Sequence, residues 1–315
     1  MPMLPPDPVY IFKGDMESVF CVMFKELNEK SVLYAGTQSG LVHVWDLKIN
    51  RQIASFESSK ESCLSIHSNE VATDITQDKM GVIRIWMQED MKWTLLKSIE
   101  TDYYGFCKCV LYDNVLYTAL QKGRVKSICL KSTEDTSTYN FIEDGKANEI
   151  MCFKLFSMNN ETFILVAFET CDVSLFSLRE QKLLGSLKVD ECPMALDFDA
   201  VAMKGVCGCP TEKLLVFTLN KNFEMNVKQS IILKNPGVAS VAIRPDSKLM
   251  AVGCWDGKLR LYSMKSLSIL AVLDIHSSTV QDVVFTSTQS ENGKIKFYLA
   301  AGSKDRKISL WDLYN

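Results

Sequence analysis

Apolar and polar residues alternate along most of the chain in short runs, and glycine, proline, aspartate or serine separates the runs. One stretch contains four such runs, Val238 to Ile243, Leu249 to Cys254, Lys258 to Ser263 and Ile269 to Leu273. A period of two with turn residues at the boundaries predicts half-buried β-strands. No long segment places its apolar residues at helical spacing, so we expect little helix.

One short pattern recurs along the chain: a turn residue, alternating apolar positions and a final large apolar residue. The copies end at Trp45, Trp86, Ile128, Phe176, Phe217, Tyr262 and Trp311. Successive copies lie 41 to 49 residues apart, close to the period of about 40–45 residues of four-stranded WD repeats. Each copy is the third of four strand-like runs. The sequence therefore predicts an all-β protein, a single seven-bladed WD40-type β-propeller.

The four-run sets give limits for the seven blades. They occupy residues 17–57, 62–101, 105–144, 149–189, 193–233, 237–274 and 279–315. The last set has three strands instead of four, while residues 9–13 form a strand-like run with no partner before the first set. We expect this N-terminal strand to complete the last blade, because closure of the ring leaves only short, protected edges.

The seventh repeat carries the polar residues of a WD-type hydrogen-bonding network. His276 lies in the loop before the blade, Ser303 on the second strand, Asp305 in the following turn and Trp311 on the third strand. Buried polar groups need partners, and WD repeats link such residues from Trp to Ser to His to Asp. Nucleophilic triads use the same residue types. The spacing matches the structural network, so we assign these residues to blade architecture.

Motifs that carry catalytic chemistry are absent from the sequence, including a Walker loop, a dinucleotide fingerprint, His-Glu-x-x-His and Gly-x-Ser-x-Gly. The pairs Cys107-x-Cys109 and Cys207-x-Cys209 are closer than the usual zinc spacing, and free cysteines are usually buried. We expect these cysteines to pack in the core. The sequence thus predicts no enzyme activity, no catalytic residues, no metal and no cofactor.

Composition and charge limit the classes of partner and the cellular compartment that we expect. The net charge of −3 and the pI of about 5.8 provide no basic face for nucleic acid. The eleven irregularly spaced cysteines indicate reduced thiols, and the Pro-rich start has no apolar signal region. No apolar run has the length of a membrane span. We expect a cytoplasmic and nuclear protein that binds neither nucleic acid nor membrane.

Trp255 is the strongest candidate for contact with a partner. It precedes the Asp256-Gly257 turn, on the propeller face where partners commonly bind, and tryptophan is a frequent interface anchor. The alternative is that its ring packs over a neighbouring loop. Three residues in equivalent turns of other blades complete the partner-binding candidates, Lys304, Arg306 and Gln38.

Several strings are more specific than generic WD-repeat matches. They include Pro5-Pro-Asp-Pro8, Gln38-Ser-Gly-Leu-Val-His43, Asp197-Phe-Asp199, Asn235-Pro-Gly237, Ile243-Arg-Pro-Asp246, Leu270-Ala-Val-Leu273 and Ala300-Ala-Gly-Ser-Lys-Asp305. On these residues the chain resembles the WD-repeat family of guanine-nucleotide-binding protein β-subunit-like protein 1 and ASTRA-associated protein 1. The resemblance spans the chain and is weakest over residues 102–187.

The resemblance implies a non-catalytic scaffold or adaptor. Proteins of this family act beside a cochaperone complex in the maturation and stability of phosphatidylinositol-3-kinase-related kinases. The implied partners are therefore that cochaperone complex and its client kinases. Ring closure favours a monomer outside the complex.

Three other functions are weighed against the adaptor role. Trp45-Asp46-Leu47-Lys48 weakly resembles the docking box of a substrate receptor of a cullin ubiquitin ligase, although this tetrapeptide is common at the end of a third strand. A scaffold subunit of a chromatin complex is a further alternative. A G-protein β subunit needs a long N-terminal helix to wind with its γ subunit, and the prolines at positions 2, 5, 6 and 8 exclude such a helix. We therefore expect no G-protein γ subunit as partner.

Overall fold

Seven four-stranded antiparallel sheets make up the molecule. The computed structural model describes residues 6–27, 30–69, 73–132, 136–141, 148–289 and 293–314. Within these ranges every regular element is a β-strand, and no helix has the length and apolar character needed to cross a membrane. The prolines at positions 2 and 5 and the end of the predicted third blade, residues 142–144, lie outside the described residues.

The strands are numbered in chain order, and each blade after the N-terminal strand takes the next four. They are β1 (Tyr10–Phe12); β2 (Val19–Leu27), β3 (Lys30–Thr37), β4 (Leu41–Asp46), β5 (Arg51–Glu57); β6 (Cys63–Ser68), β7 (Thr73–Asp78), β8 (Val82–Glu89), β9 (Lys92–Glu100); β10 (Val110–Tyr112), β11 (Val115–Leu120), β12 (Arg124–Cys129), β13 (Thr136–Asn140); β14 (Ile150–Met158), β15 (Glu161–Phe168), β16 (Asp172–Ser177), β17 (Lys182–Lys188); β18 (Ala195–Asp199), β19 (Lys204–Gly208), β20 (Lys213–Leu219), β21 (Met225–Ile232); β22 (Val238–Ile243), β23 (Leu249–Cys254), β24 (Leu259–Ser263), β25 (Ile269–Leu273); β26 (Val280–Gln289), β27 (Ile295–Ser303) and β28 (Ile308–Asp312).

The N-terminal strand β1 closes the ring. It pairs antiparallel with β28, with Tyr10 opposite Leu310 and Phe12 opposite Ile308, so the sheet of blade seven has the order β1-β28-β27-β26. Phe12 is fully buried, and its ring centroid lies 5.3 Å from that of Trp45 in blade one. The predicted seven-bladed propeller, closed by its N-terminal strand, is confirmed.

Blade three has the shortest inner strand of the ring. Its strand β10 covers only Val110–Tyr112, whereas the sequence places the start of this blade at residue 105. Residues 101–109 instead form the loop that joins blades two and three. This loop brings aromatic side chains to the surface, as described below.

A β-bulge recurs beside the residue that ends the repeat pattern. It lies between the third and fourth strands of five blades, next to Trp45, Trp86, Phe176, Phe217 and Tyr262. A bulge adds one residue to one strand and increases the local right-handed twist. In these five blades, the residue that ends the repeat pattern is therefore both a buried side chain and the site of a β-bulge.

The core lies between neighbouring blades. Val19, Leu33 and Trp45 of blade one pack with Ala300 and Leu310 of blade seven. Each strand contributes alternate residues to this interface because successive side chains point to opposite sides of a sheet. Burial of these apolar faces stabilises the ring at about 25 cal/mol per Å² of buried apolar surface.

Each blade presents its connections on two faces of the ring. The loops between blades and the turns between second and third strands lie on one face, which we call the loop face. The turns between first and second strands, and between third and fourth strands, lie on the other, which we call the hairpin face. Antiparallel strand order fixes this division.

Candidate functional site

The turns between second and third strands are held in the same way in several blades. The backbone N–H of the first turn residue donates to a carbonyl of the loop that leads into the same blade. Gln38 donates to Ser18 at 2.8 Å, and Lys304 donates to Thr279 at 3.0 Å. Trp255 makes the equivalent bond to Gly237 at 3.0 Å. Gln38, Trp255 and Lys304 are therefore equivalent positions on the loop face, and their side chains are exposed.

Blades six, seven and one are neighbours in the ring, so these turns form one continuous arc. The Thr279 hydroxyl donates to the Trp255 carbonyl at 3.4 Å, which links the turn of blade six to the loop of blade seven. The Ser18 hydroxyl donates to the Lys304 carbonyl at 3.2 Å and links blade seven to blade one. Arg306 is exposed in the same turn as Lys304, with a φ of 66°. The structure thus places all four predicted partner-binding residues on one side of the loop face.

Trp255 is partly exposed and packs over a neighbouring loop. Its side chain is 43% exposed, and one side of the ring rests on Gly237. A Cβ atom built on Gly237 would lie 2.2 Å from the indole, and the φ of Gly237 is +97°. Because only glycine adopts this conformation easily and leaves room for the ring, the indole packs directly against Gly237 while part of its surface stays exposed.

Asp256 fixes the turn that carries Trp255. Its carboxylate accepts two hydrogen bonds from the Arg260 guanidinium, at 2.9 and 2.7 Å, and one from the Asn235 amide at 2.9 Å. Burial raises the pKa of Asp256, but the hydrogen bonds from Arg260 and Asn235 outweigh burial and lower the pKa to about 2. The turn is therefore anchored by a charge-assisted, bidentate pair.

The polar network of blade seven corrects one predicted residue. Trp311 Nε1 donates to the hydroxyl of Ser309 at 2.8 Å, and Ser309 lies 2.8 Å from His276 Nε2. His276 Nδ1 lies 3.1 Å from Asp305. The serine between tryptophan and histidine is therefore Ser309, in the place where the sequence predicts Ser303. The Ser303 hydroxyl donates to the Ser278 carbonyl at 2.9 Å and accepts a hydrogen bond from the backbone N–H of Asp305 at 3.2 Å. Ser303 therefore contacts the aspartate end of the network.

Ser309 takes this place because the second strand of blade seven has a small residue where blade two carries a hydroxyl. In blade two, Trp86 donates to the Thr76 hydroxyl on the second strand at 2.9 Å. The equivalent residue of blade seven is Ala301, which has no hydroxyl and lies directly opposite Ser309. Ser309 also shares a strand face with Trp311, two residues later. The hydroxyl thus comes from the third strand instead of the second.

The connections among Ser309, His276 and Asp305 are those of a nucleophilic triad. Ser309 has no exposed surface, and His276 is 4% exposed. The Ser309 hydroxyl is already bonded to both neighbours, so a substrate has no access to it. This arrangement serves blade architecture.

The loop between blades two and three adds an aromatic cluster that sequence analysis missed. Tyr104 is 64% exposed and Phe106 is 59% exposed. The preceding residue, Tyr103, is buried, and its hydroxyl donates to the Ile150 carbonyl at 2.9 Å. The Lys79 ammonium lies 5.2 Å from the Phe106 ring centroid, within the range of a cation–π contact. The string Tyr103-Tyr-Gly-Phe106 was the available signal. It extends the exposed anchors of the loop face to blades two and three.

The tetrapeptide Trp45-Asp46-Leu47-Lys48 has structural contacts of its own. Trp45 is 6% exposed, and the Asp46 carboxylate accepts bonds from the backbone N–H of Lys48 at 2.8 Å and of Ile49 at 3.2 Å. Asp46 thus caps the turn between the third and fourth strands of blade one.

Two ion pairs lie at or beside the inner strands. Lys108 lies 2.7 Å from Asp282, and Lys154 lies 2.7 Å from Asp197. The charge of Asp197 raises the pKa of Lys154. Within the described part of the chain, no three His, Cys, Asp or Glu side chains are grouped to hold a metal ion. The channel thus carries paired charges and no described metal-binding cluster.

The cysteines of the two Cys-x-Cys pairs are buried thiols. Cys107 and Cys109 are each 1% exposed, and Cys207 and Cys209 are 0% and 4% exposed. Burial raises the pKa of Cys107, and it raises the pKa of Cys109 to about 12. The first pair therefore remains protonated and unreactive at neutral pH.

Comparison with known families identifies the repeat. The family WD40: WD domain, G-beta repeat matches residues 228–263 and 267–312. The first match begins within β21, the outer strand of blade five, and ends with the third strand of blade six. The sequence repeat is thus offset by one strand from the structural blade.

Several relatives align with this chain along almost its whole length. The chain is 29% identical to guanine nucleotide-binding protein subunit beta-like protein 1 of Mus musculus, with 98% of this chain and 97% of the relative aligned. It is 22% identical to ASTRA-associated protein 1 of Aspergillus flavus, with 98% of each chain aligned. For ASTRA-associated protein 1 of Schizosaccharomyces japonicus the identity is 21%, over 99% of this chain and 100% of the relative.

Proposed function

Because the chain is a WD-repeat protein, homologous along its length to guanine nucleotide-binding protein subunit beta-like protein 1 and ASTRA-associated protein 1, we propose that it is a non-catalytic adaptor. It acts with a cochaperone complex in the maturation and stability of phosphatidylinositol-3-kinase-related kinases. WD-repeat propellers are typical scaffolds. The observation that supports the adaptor role here is the set of exposed aromatic anchors on the loop face.

Two separate anchor sites suit a protein that holds two partners. Trp255 lies in blade six, whereas Tyr104 and Phe106 lie between blades two and three, on a distant part of the same face. Exposed aromatic residues are common interface anchors. A rigid ring that binds a cochaperone at one site and a client kinase at the other raises the effective concentration of each for the other.

Depletion with rescue tests this function. Loss of the protein should lower the levels of the kinase proteins without lowering their messenger RNAs. Rescue with the natural chain should restore the kinases, and rescue with a Trp255→Ala, Tyr104→Ser, Phe106→Ser variant should not. Unchanged kinase levels after depletion would contradict the proposal. Affinity purification of the same two proteins would show whether the cochaperone complex is lost from the variant.

A further inference from the structure

The hairpin face contains a groove of about 910 Å³ that is lined by residues of blades one, two and three. Its apolar walls come from Met23 and Phe24 on β2 and from Leu111 on β10. This volume is within the usual range for ligand sites, about 300–1,000 Å³. The groove faces away from Trp255 and the other anchors of the loop face.

Three exposed carboxylates line the groove. Glu26 lies near the end of β2, and Glu89 and Asp90 form part of the hairpin between β8 and β9. None of the three forms an ion pair with any residue in the described ranges. The Glu26 carboxylate accepts a hydrogen bond from the Ser31 hydroxyl at 2.5 Å. The groove therefore has an acidic rim whose three charges have no cationic partner among the described residues.

The cation of the groove is already neutralised. Lys25 lies 2.7 Å from Asp74, which is fully buried and also accepts hydrogen bonds from Tyr34 at 3.1 Å and Trp93 at 2.7 Å. Asp74 and Lys25 thus form a closed structural unit between blades one and two. The three rim carboxylates decide the charge that a ligand meets.

Gln88 supplies an independent sign of a missing partner. Its side chain lines the groove and is 4% exposed, and its amide nitrogen has no hydrogen-bond partner. A buried donor without an acceptor costs about 1–3 kcal/mol. The last torsion of a glutamine side chain is broad, so this amide can turn to a carbonyl placed in the groove.

We propose that this groove binds a basic, extended segment of a partner protein. Its arginine or lysine side chains pair with Glu26, Glu89 and Asp90, and an apolar side chain rests on Phe24. A backbone carbonyl of the segment accepts the bond from Gln88. Phosphate-bearing ligands are disfavoured by the acidic rim. The proposal goes beyond the adaptor role, because it assigns a binding site to the face opposite the aromatic anchors.

Fluorescence anisotropy with the purified full chain tests the groove. The probe is a fluorescein-labelled octapeptide of alternating arginine and leucine, compared with peptides of alternating glutamate and leucine and of alternating arginine and serine. Saturable binding is expected for the first peptide alone. A Glu26→Gln, Glu89→Gln, Asp90→Asn variant should bind it about tenfold more weakly, since three exposed ion pairs together reach about that factor.

A matched control separates a site from general charge attraction. The Glu61→Gln, Glu191→Gln, Glu212→Gln variant removes the same charge from the loop face, and its affinity should be unchanged. Equal weakening in both variants would overturn the proposal, as would absence of saturable binding at 1 mM protein or equal binding of the arginine–serine peptide. Unchanged circular dichroism and melting temperature verify that both variants fold. Because no kinase is present, a negative result leaves the adaptor role separately testable.

Discussion

Lys108 and Asp282 form an ion pair across the central channel, with 2.7 Å between the ammonium and a carboxylate oxygen. Lys108 precedes the inner strand of blade three, and Asp282 lies on the inner strand of blade seven. The second Asp282 oxygen accepts a hydrogen bond from the backbone N–H of Val22 in blade one at 2.9 Å. One carboxylate therefore connects three blades.

Removal of this carboxylate should weaken the ring. An Asp282→Ala variant leaves the Lys108 ammonium and the Val22 N–H without their partner, so we expect the free energy of unfolding to fall by about 1–3 kcal/mol. Lys108→Met should cost less, because Asp282 keeps its bond to Val22. Urea denaturation followed by circular dichroism measures both. A larger loss in the Lys108 variant would contradict this account.

The serine of the blade-seven network gives a second prediction. Ser309→Ala removes the partner of both Trp311 Nε1 and His276 Nε2, which are buried, and should lower the free energy of unfolding by about 2–4 kcal/mol. Ser303→Ala is the matched control and should cost about 1 kcal/mol. The indole N–H resonance of Trp311 should shift in the first variant and stay in place in the second. Equal costs would show that Ser309 does not hold the network.

The aspartates of the blade turns predict instability in acid. The folded pKa of Asp256 is lowered to about 2, and the pKa of Asp305 is also lowered, because hydrogen bonds from His276 and its neighbours outweigh the effect of burial. A lowered folded pKa gives stability that is present above the unfolded value of about 3.9 and is lost as the pH falls towards the folded value.

Denaturation midpoints between pH 7 and pH 2 measure this effect. The midpoint should be nearly constant down to about pH 5 and then decline. An Asp256→Asn variant should be less stable at pH 7 and should lose less on acidification, because the group no longer titrates. A slope identical to that of the natural chain would contradict the role of Asp256.

Gly237 is predicted to control the position of the Trp255 ring. A Gly237→Ala variant places a methyl group where the indole lies and retains a φ of +97°, so the ring must move, at a cost of about 1–3 kcal/mol. Fluorine NMR of protein labelled with 5-fluorotryptophan resolves the 5 tryptophans. One resonance, assigned by Trp255→Phe, should shift strongly. An unshifted Trp255 resonance would show that the ring does not depend on this contact.

Trp255 itself should affect binding and leave stability almost unchanged. Since 43% of its side chain is exposed, Trp255→Ala should change the free energy of unfolding by less than about 1 kcal/mol. Recovery of the cochaperone complex in affinity purification should fall severalfold. Val201→Ala is the control, because Val201 is 88% exposed on the hairpin face. Equal recovery with both variants would remove Trp255 from the partner-binding residues.

The repeat and its closure could be predicted because both depend on local order along the chain. The third strand of each blade combines a turn residue, alternation and a closing residue such as Trp45 or Trp311. The last set has three strands, and residues 9–13 supply a fourth. Neither inference needs a distance between side chains.

The contacts that could not be predicted depend on which side of a strand or loop a residue faces. Ser303 and Ser309 are both near Trp311 in sequence. Which of them bonds to Trp311 depends on Ala301, which lies opposite Ser309 and has no hydroxyl, and this pairing exists only in the folded sheet. In the loop after blade two, Tyr103 is buried and Tyr104 is exposed, and no periodicity separates adjacent aromatic residues in a loop. The partner of Lys108 is 174 residues away, across a channel that exists only in the ring.

The pairing of β1 with β28 also sets an order of events during synthesis. The ribosome makes β1 first, yet the strand that it pairs with lies almost 300 residues later. At about 5–20 residues per second, β1 waits roughly 15–60 s for its partner. During this interval the nascent chain exposes Phe12 and the apolar face of blade one that later packs against blade seven. Chaperones that bind apolar segments on the ribosome therefore have a defined period in which to protect them.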